Sequence, residues 1–377
     1  MSLSNKFLAQ MRAATRSLMR RGPSVARSVI RESVKTATAM QTGATKAALD
    51  QAEQAQAAAR QASNQASYDP ASDMLADLSR LGGNPFNVPP LSTGAAAAGL
   101  PGRFIDGSYG NEAGTRDYKL YVPGSHAGQA APLLVMLHGC TQNPDDFALG
   151  TGMNEIAEET GCLVVYPAQS QQANPSRCWN WFNAVDQQRG QGEPSIIAGL
   201  TQAVMERHAI DPARVYVAGL SAGGAMAAIM GTLYPDLYAA VGVHSGLPFA
   251  AAHDLPTAVA AMKGDFRAHH APGKALPIIV FHGDKDATVH PANGAELIAR
   301  RRRDPADITV VEPGAMPDGH AWTRTVHRLP DGAVHAEHWV VHGSGHAWSG
   351  GDTRGTYTDS KGPSASREMM RFFRTAR

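Results

Sequence analysis

The sequence predicts an α/β protein with a mostly parallel central sheet and helices on both of its faces. Segments such as Cys162–Tyr166 and Pro277–His282 are almost continuously apolar, as expected for strands buried on both sides. Helical segments alternate with these strands along the chain, and this alternation is typical of parallel sheets joined by crossover helices. At 377 residues the chain is long enough for one large domain and an extension.

The composition is that of a globular protein, with 43% hydrophobic residues and a formal net charge of +1. So small a net charge creates no global field that attracts nucleic acid. The basic run Arg300–Arg303 is interpreted as a solvated helix end, so no nucleic-acid partner is expected. No apolar run reaches the ~20 residues that a membrane-spanning helix needs, and no transmembrane segment is expected.

Residues 1–101 form an extension that is rich in Ala, Gln, Ser and Arg and poor in aromatic residues. Its first part, Met1–Arg31, holds seven Lys or Arg residues and no acid, and apolar residues at helical spacing indicate a basic amphipathic helix. Two interpretations follow: a solvated tail, or a segment that lies on an apolar or anionic surface such as a lipid-coated particle. The prolines and small residues of Asn84–Leu100 indicate a linker.

The N-terminus lacks the apolar core of a secretory signal, because Lys6 and Arg12 interrupt its hydrophobic residues. We therefore expect a cytoplasmic protein. The three cysteines, Cys140, Cys162 and Cys178, are too few for a disulfide scaffold and have no C-x-x-C zinc spacing. A disulfide between Cys140 and Cys178 is left open.

Residues 102–377 are predicted to form a single folded domain of alternating elements. Apolar runs bounded by turn residues predict strands at Tyr118–Val122, Pro132–His138, Cys162–Tyr166, from Arg214 onward, and at Tyr238–His244, Pro277–His282 and Glu337–His342. Helical patterns cover Phe147–Thr160, Ser195–His208, the residues after Ser221, Ala295–Ala299 and Ser364–Phe373.

The segment Gly219–Gly223 has the pattern G-x-S-x-G between a predicted strand and a predicted helix. A serine at such a sharp turn has a strained backbone that exposes its hydroxyl, and the flanking glycines let strand and helix approach closely. The alternative is an ordinary strand-to-helix turn with a capping serine. The elements on either side, and the partner residues found later in the chain, favour Ser221 as a nucleophile.

A serine nucleophile needs a base within hydrogen-bonding distance and an acid that orients this base. Both should follow later strands, since ligands bind at the carboxyl ends of parallel strands. One strand leads into a loop with Asp284 and Asp286, and another into a glycine-rich loop with His346. We prefer Asp286, which lies farther beyond the strand end, over Asp284, which can serve as a turn acid. The order Ser, Asp, His is that of α/β-hydrolases.

The histidines at positions 335, 338, 342 and 346 have a spacing that suggests metal ligands on a helix. Gly343 and Gly345 would break such a helix, so no metal site is expected. His342 is assigned to the strand as a packing or edge residue.

Acyl transfer also needs donors for a developing oxyanion. One is the backbone N–H that follows the nucleophile, here that of Ala222. The other is expected on an early loop after a strand, and His138–Gln142 supplies such a loop. We assign the second donor to the N–H of Cys140, with His138 supporting the loop. The Cys140 thiol is interpreted as structural, because nothing near it in sequence would activate it.

Aromatic residues interrupt a polar, glycine-rich stretch near the middle of the chain, where Trp179 and Trp181 lie. Long loops with aromatic residues often shape a binding cleft, so both are candidate substrate-binding residues. The alternative is that they only hold the loop against the domain. Trp348, two residues after His346, is expected near the same cleft.

The motifs in chain order are His138–Gln142, Cys178–Phe182, Gly219–Gly224, His282–Asp286 and Gly345–Trp348. Together they resemble the catalytic domain of the polyhydroxybutyrate depolymerase family of esterases, over roughly residues 103–377. The resemblance implies an α/β-hydrolase whose Ser221, His346 and Asp286 form a triad without metal or cofactor. It also implies cleavage of short-chain hydroxyalkanoate polyesters, or of related small esters, through an acyl-enzyme.

The departures from secreted family members suggest an intracellular type, because no export signal and no polymer-binding module is recognised. The N-terminal segment would then hold the enzyme on a polymer granule. The family also includes members similar to feruloyl and acetylxylan esterases, so these activities, or a general carboxylesterase, remain alternatives. An alternative of another class is a granule-associated protein with a vestigial hydrolase domain.

Overall fold

A computed structural model describes residues 99–265, 275–300 and 307–375. The predicted amphipathic extension and most of the predicted linker lie outside these residues. Among them, no helix combines the length and apolar character required to span a bilayer. The strands are β1 (Arg103–Asn111), β2 (Gly114–Val122), β3 (Ala131–Leu137), β4 (Leu163–Pro167), β5 (Ile210–Leu220), β6 (Ala240–His244), β7 (Ile278–Gly283), β8 (Ile308–Ala315), β9 (Ala321–Arg328), β10 (Val334–Val341), β11 (Trp348–Ser349) and β12 (Thr358–Asp359).

The helices of the described residues lie between or after these strands. They are α1 (Pro144–Thr151), α2 (Met153–Thr160), α3 (Gly192–Arg207), α4 (Ala222–Leu233), α5 (Leu255–Met262), α6 (Ala292–Ala299) and α7 (Ala365–Thr375), with a short 3₁₀ helix at Val185–Gln187.

A ten-stranded sheet has the order β1-β2-β4-β3-β5-β6-β7-β10-β9-β8. Its central run from β4 to β10 is parallel, whereas β1, β2, β9 and β8 pair antiparallel at the two sides. The predicted class, a mostly parallel sheet covered by helices, is therefore confirmed. β11 and β12 form a separate two-stranded sheet.

Side chains of the central strands alternate between two cores, as the pleat of a strand requires. On β3, Leu133, Val135 and Leu137 belong to one cluster, together with residues of α3 to α6. Leu134 and Met136 belong to the other cluster, with residues of α1, α2 and α7. Helices thus cover both faces of the parallel strands, which explains why their sequences are apolar almost without interruption.

The helical pattern predicted for Phe147–Thr160 forms two helices rather than one. Asn143 begins α1 by accepting the N–H of Asp146 at 2.8 Å, with Pro144 in the first turn. Gly152 then ends α1 with a φ of 60°, a left-handed conformation that glycine adopts without steric cost. The chain turns there and begins α2 at the next residue.

Strands β5, β6, β7 and β10 are neighbours in the sheet and parallel. Their carboxyl ends, Leu220, His244, Gly283 and Val341, therefore lie along the same edge. The loops that carry Ser221, Asp286 and His346 start within a few residues of these ends, so the topology gathers three predicted site residues at one place.

Candidate active site

Ser221 lies at the turn between β5 and α4, as the sequence predicts. Its φ of 58° is in the left-handed region that non-glycine residues rarely occupy. Strand and helix approach so closely that a Cβ atom on Gly219 would lie 2.4 Å from the carbonyl carbon of Gly223. The Ser221 N–H donates to the carbonyl of His244 at 2.9 Å, which ties the turn to β6.

Asp286 and His346 form a hydrogen bond of 2.7 Å between Oδ2 of the acid and Nδ1 of the ring. The Asp286 side chain is buried, and its Oδ1 accepts the N–H groups of Thr288 and Val289 at 2.9 and 2.8 Å. These amides fix the carboxylate, so the loop after β7 orients the His346 imidazole through the Asp286 hydrogen bond.

Burial raises the pKa of the Asp286 carboxyl, but the hydrogen bonds and electrostatic interactions with His346 and His282 outweigh burial and lower this pKa well below its usual range. Asp286 is therefore ionised at neutral pH and accepts the proton of Nδ1. The neutral His346 ring consequently has its lone pair at Nε2, the nitrogen that a base needs.

Asp284 has a different partner, and the structure does not bring it to His346. Its Oδ2 lies 3.0 Å from Nδ1 of His342, and its Oδ1 accepts the N–H of Gly343 at 2.7 Å. Both side chains of this second pair are partly exposed. The geometry thus separates the two acids of the loop, and only Asp286 contacts the His346 ring.

The loops that carry the acid and the histidine are bonded to each other. Lys285 donates its N–H to the carbonyl of Ser344 at 3.0 Å, and the Ser344 hydroxyl donates to Asp359 at 2.6 Å. Both bonds involve Ser344, two residues before His346, and Lys285 directly precedes Asp286. They restrict the position of the imidazole relative to the sheet edge.

The loop that carries His346 reaches the end of β6, because Ser349 donates its N–H to Nε2 of His244 at 3.0 Å. The carbonyl of the same His244 accepts the Ser221 N–H. Among the described residues, no hydrogen bond joins the Ser221 hydroxyl to the His346 ring. Hydrogen bonds between nucleophile and base are commonly long before substrate binds.

The predicted oxyanion loop packs directly on the Ser221 turn. A Cβ atom on Gly139 would lie 3.6 Å from both the Leu220 carbonyl oxygen and the Ser221 Cβ. The Gly139 N–H donates to the side chain of Gln142 at 3.0 Å, and Gln142 in turn donates to the buried Asp146 at 2.9 Å. A fully buried polar network therefore holds this loop next to the nucleophile.

His138 is buried beneath the loop and has a single tautomer. Its Nε2 accepts the N–H of Gln169 at 3.1 Å, so the proton of the neutral ring is on Nδ1, which donates to the Gly139 carbonyl at 2.7 Å. Burial lowers the pKa of His138 to about 4, so the ring is neutral at pH 7. His138 thus contacts the loop that it is predicted to support.

Two backbone N–H groups near Ser221 are available for a substrate oxygen. Ala222 is the first residue of α4, where an N–H has no acceptor within the helix. In the part of the chain that the structure describes, the Cys140 N–H also has no acceptor, whereas the Thr141 N–H is bonded to Ser176 at 2.7 Å. These are the two donors that the sequence analysis assigns.

Cys140 and Cys178 form a disulfide, which settles the pairing that the sequence leaves open. The bond joins the oxyanion loop to the loop that carries Trp179 and Trp181. Cys162 is a buried free thiol, and burial raises its pKa to about 12, so it is unreactive at neutral pH.

The tryptophans do not occupy the positions that substrate contact requires. Trp179 and Trp348 are 0% and 1% exposed, and Trp181 is 6% exposed. Trp179 packs against His138, with ring centroids 5.8 Å apart, and Trp348 stacks on His244 at 5.1 Å. The expectation that Trp179, Trp181 and Trp348 bind substrate is therefore corrected, since all three are buried. The rings of Trp179 and Trp348 pack on His138 and His244 from within the core.

Comparison with known proteins gives the family. The sequence profile described as "Esterase PHB depolymerase" matches residues 116–310, just over half of the chain. The chain belongs to this esterase family. The resemblance drawn from the motifs is thereby confirmed, and the matched residues include Ser221 and both acids of the β7 loop.

Proteins related to this PHB depolymerase family member include depolymerases and a feruloyl esterase. Poly(3-hydroxyalkanoate) depolymerase C of Paucimonas lemoignei is 33% identical over 206 residues, which are 51% of this chain and 49% of that protein. Poly(3-hydroxybutyrate) depolymerase of Ralstonia pickettii is 34% identical over 31% of this chain and 25% of its own length. Feruloyl esterase B of Thermothelomyces thermophilus is 28% identical over 48% of this chain and 67% of its own length. The chain thus matches half or less of the two depolymerases.

Among solved structures, the acetyl xylan esterase from Aspergillus awamori has the same fold as this family member. The two are 18% identical with a TM-score of 0.53, over 69% of this chain and 94% of that one. At this identity the likeness describes the fold alone, and it agrees with the α/β-hydrolase class.

Sequence reasoning missed the polar residues that support the family's loops from behind. Gln169 follows β4, and Glu193 is in the first turn of α3. Both are buried and hydrogen-bonded to each other. Two features of the sequence could have drawn attention to them: Gln169 is a polar residue just after an apolar strand, and Glu193 is an acid beside a proline at a helix start. Neither indicates that the two side chains meet.

Proposed function

We propose that this protein is a serine esterase that hydrolyses ester bonds of short-chain polyhydroxyalkanoates through an acyl-enzyme. The observation that carries the proposal is the 2.7 Å bond between the buried Asp286 and Nδ1 of His346, at the sheet edge where Ser221 stands on a strained turn. Family membership and the two depolymerase relatives support the substrate class.

In the proposed mechanism, the Ser221 hydroxyl attacks the ester carbonyl while Nε2 of His346 takes its proton. The N–H groups of Cys140 and Ala222 bind the oxyanion. Collapse of the tetrahedral intermediate expels the alcohol, which receives the proton from His346. Water then attacks the acyl-enzyme while His346 takes its proton. As the bond between the acyl group and the Ser221 oxygen breaks, His346 returns this proton to Ser221 and the acid is released. Asp286 orients the ring and stabilises its charged form in both halves.

Replacing Ser221 with Ala tests the mechanism. We expect hydrolysis of p-nitrophenyl butyrate to fall to the background rate while the circular dichroism spectrum is unchanged. Retention of activity by the folded variant would exclude Ser221 as the nucleophile. Absence of activity in the native protein on every ester would instead favour the alternative of a granule-associated protein with a vestigial domain.

The substrate is tested by comparing amorphous polyhydroxybutyrate granules with methyl ferulate and acetylated xylan. We expect release of hydroxybutyrate oligomers from the granules. The feruloyl esterase relative supports the second candidate, a feruloyl or acetylxylan-type carboxylesterase. Rapid hydrolysis of methyl ferulate without hydrolysis of the granules would decide for that candidate.

The cytoplasmic location and granule association expected from the sequence are part of this proposal. Deleting Met1–Gly99 should reduce granule binding more than turnover of a soluble ester, and unchanged binding would exclude the anchor. The Cys140–Cys178 disulfide is an observation against a cytoplasmic location, because reducing compartments rarely keep such bonds. Alkylation of thiols in freshly lysed cells will determine whether this pair is oxidised where the protein resides.

A further inference from the structure

We propose that Glu193 is a positioning residue for the oxyanion donor on Cys140. The inference rests on the proposed function, since it concerns the same site. It is carried by a continuous chain of buried hydrogen bonds from the start of α3 to the loop beside Ser221. Glu193 itself contacts neither the nucleophile nor the histidine of the triad.

The Glu193 carboxylate is buried and fully occupied by donors from separate segments. Its Oε2 accepts the N–H of Asn180 at 2.7 Å. Its Oε1 accepts the Asn180 side chain at 2.8 Å, Nη2 of Arg116 at 3.2 Å, and the side chain of Gln169. The acid thus fixes the tryptophan loop and Gln169 at the same time.

Gln169 connects this carboxylate to the oxyanion loop in two ways. Its backbone N–H donates to Nε2 of His138 at 3.1 Å, and its side chain donates to the Cys178 carbonyl at 2.8 Å. Cys178 is bonded covalently to Cys140. Gln169 therefore holds the ring beneath the loop through its backbone and the residue tethered to the donor through its side chain.

The last step is the peptide between Gly139 and Cys140. Nδ1 of His138 donates to the Gly139 carbonyl at 2.7 Å. In a trans peptide the C=O and N–H groups point in opposite directions. The bond from His138 consequently directs the Cys140 N–H away from the ring. Since Gly139 packs on the Ser221 turn, this sets the direction of the donor beside the nucleophile.

Stability alone does not explain a carboxylate at this position. Burial and the negative charge of Asp186 raise the pKa of Glu193 to about 7, although Gln169, Asn180 and Arg116 act to lower it. A buried ion pair is often no more stable than well-packed apolar side chains. The carboxylate does, however, accept hydrogen bonds at both oxygens, which a neutral amide cannot do.

The test compares Glu193→Gln with Glu337→Gln. Glu337 is a matched control, because its side chain is also buried and paired with arginines, Arg324 and Arg371. For Glu193→Gln we expect kcat on p-nitrophenyl butyrate to fall on the order of 10- to 100-fold with KM within about twofold, as for a displaced oxyanion donor. For Glu337→Gln we expect kcat within about twofold of the native value.

A second readout requires no substrate. Nitrogen NMR of ¹⁵N-histidine-labelled protein, with His138 assigned by His138→Gln, should show a proton on Nδ1 in the native protein. Glu193→Gln should convert part of the population to the Nε2–H form, since the Gln169 side chain loses its bond to the carboxylate. This readout applies even if the protein hydrolyses none of the esters, so its outcome is separate from that of the proposed function.

Unchanged kcat, or an unchanged His138 tautomer, in the folded Glu193→Gln variant would overturn the proposal. If that variant does not fold, Gln169→Met cuts the same chain one step nearer to His138, because it removes the side-chain bonds that hold the backbone N–H of residue 169 against Nε2 of His138. We expect the same fall in kcat and the same tautomer mixture, and a native result for either measurement would equally overturn the proposal.

Discussion

Asp286 and His346 are bonded at 2.7 Å, whereas Asp284, two residues earlier in the same loop, is bonded to His342 at 3.0 Å. The loop after β7 therefore holds two Asp–His pairs with different surroundings. The Asp286 pair is buried, and the Asp284 pair is partly exposed to solvent. This difference gives the two acids distinct expected effects on catalysis.

Replacing Asp286 with Asn should lower kcat on p-nitrophenyl butyrate by about 10⁴-fold, because the amide stabilises the wrong tautomer of His346. Asp284→Asn is the matched control, with an expected change in kcat of about twofold or less, since a partly exposed ion pair contributes little free energy. The measurement is steady-state kinetics of both purified variants at one pH. A larger loss for Asp284→Asn would reverse the assignment of the acid.

The strain at Ser221 predicts a difference between two inactive variants. Ser221→Gly can adopt the φ of 58° without steric cost, whereas Ser221→Ala cannot. We expect Ser221→Gly to be the more stable variant by about 1 kcal/mol. Relief of a backbone strain of ~1–3 kcal/mol favours glycine, and the greater entropy of glycine in the unfolded chain offsets part of this gain. Urea unfolding followed by tryptophan fluorescence measures this, and a lower midpoint for Ser221→Gly than for Ser221→Ala would show that the turn is unstrained.

The disulfide closes a loop with a sequence separation of 38 residues. The chain-entropy model assigns about 4 kcal/mol of stability to a loop of this length. Cys178→Ala should lower the free energy of unfolding by that amount, and added dithiothreitol should have no further effect on it. Cys162→Ala is the control and should lose only about 1 kcal/mol, for a small buried group. Equal losses in the two variants would contradict a stabilising disulfide.

Stability should fall as the pH is lowered from about 6.5 toward 4, the interval set by the histidines. Burial lowers the pKa of His138 and of His338 to about 4, and that of His244 to about 3. The unfolded chain therefore binds more protons than the folded one in this interval. Glu193, with its pKa raised to about 7, has the opposite effect, but a single carboxyl does not outweigh three imidazoles.

Urea midpoints measured at pH 7, 6, 5 and 4 will check this dependence. His338→Gln should flatten it, because the variant lacks one of the groups that gain protons on unfolding. His253→Gln is a suitable control, since His253 is exposed. A stability that is constant across the interval would show that the buried rings are already protonated in the folded protein.

The sequence was sufficient where apolar patterning or a short motif determines local structure. The buried strands from β3 to β7 and the turn at Ser221 were predicted because their neighbours along the chain specify them. β1 and β8 were not predicted, since most of their side chains are exposed and give no apolar pattern. The break at Gly152 was missed because the apolar spacing continues across it.

Contacts between distant segments could be predicted for Asp286 and His346, which belong to a known catalytic arrangement, but not for side chains outside such a motif. The aromatic residues Trp179 and Trp348 looked like cleft residues, but a sequence does not specify which side of a loop faces the core. Gln169 and Glu193 are 24 residues apart and His138 precedes Gln169 by 31. Such a polar chain depends on the packed fold, and no spacing rule describes it.

The chain goes from Asp286 to His346 by way of α6 and the hairpin of β8 and β9. β9 runs antiparallel to β10, with Arg328 opposite Val334. The turn Leu329–Ala333 consequently lies at the end of the sheet opposite Ser221. A fluorescent reporter domain inserted between Asp331 and Gly332 should leave ester hydrolysis intact. One fusion protein would then report its location in cells and retain its activity.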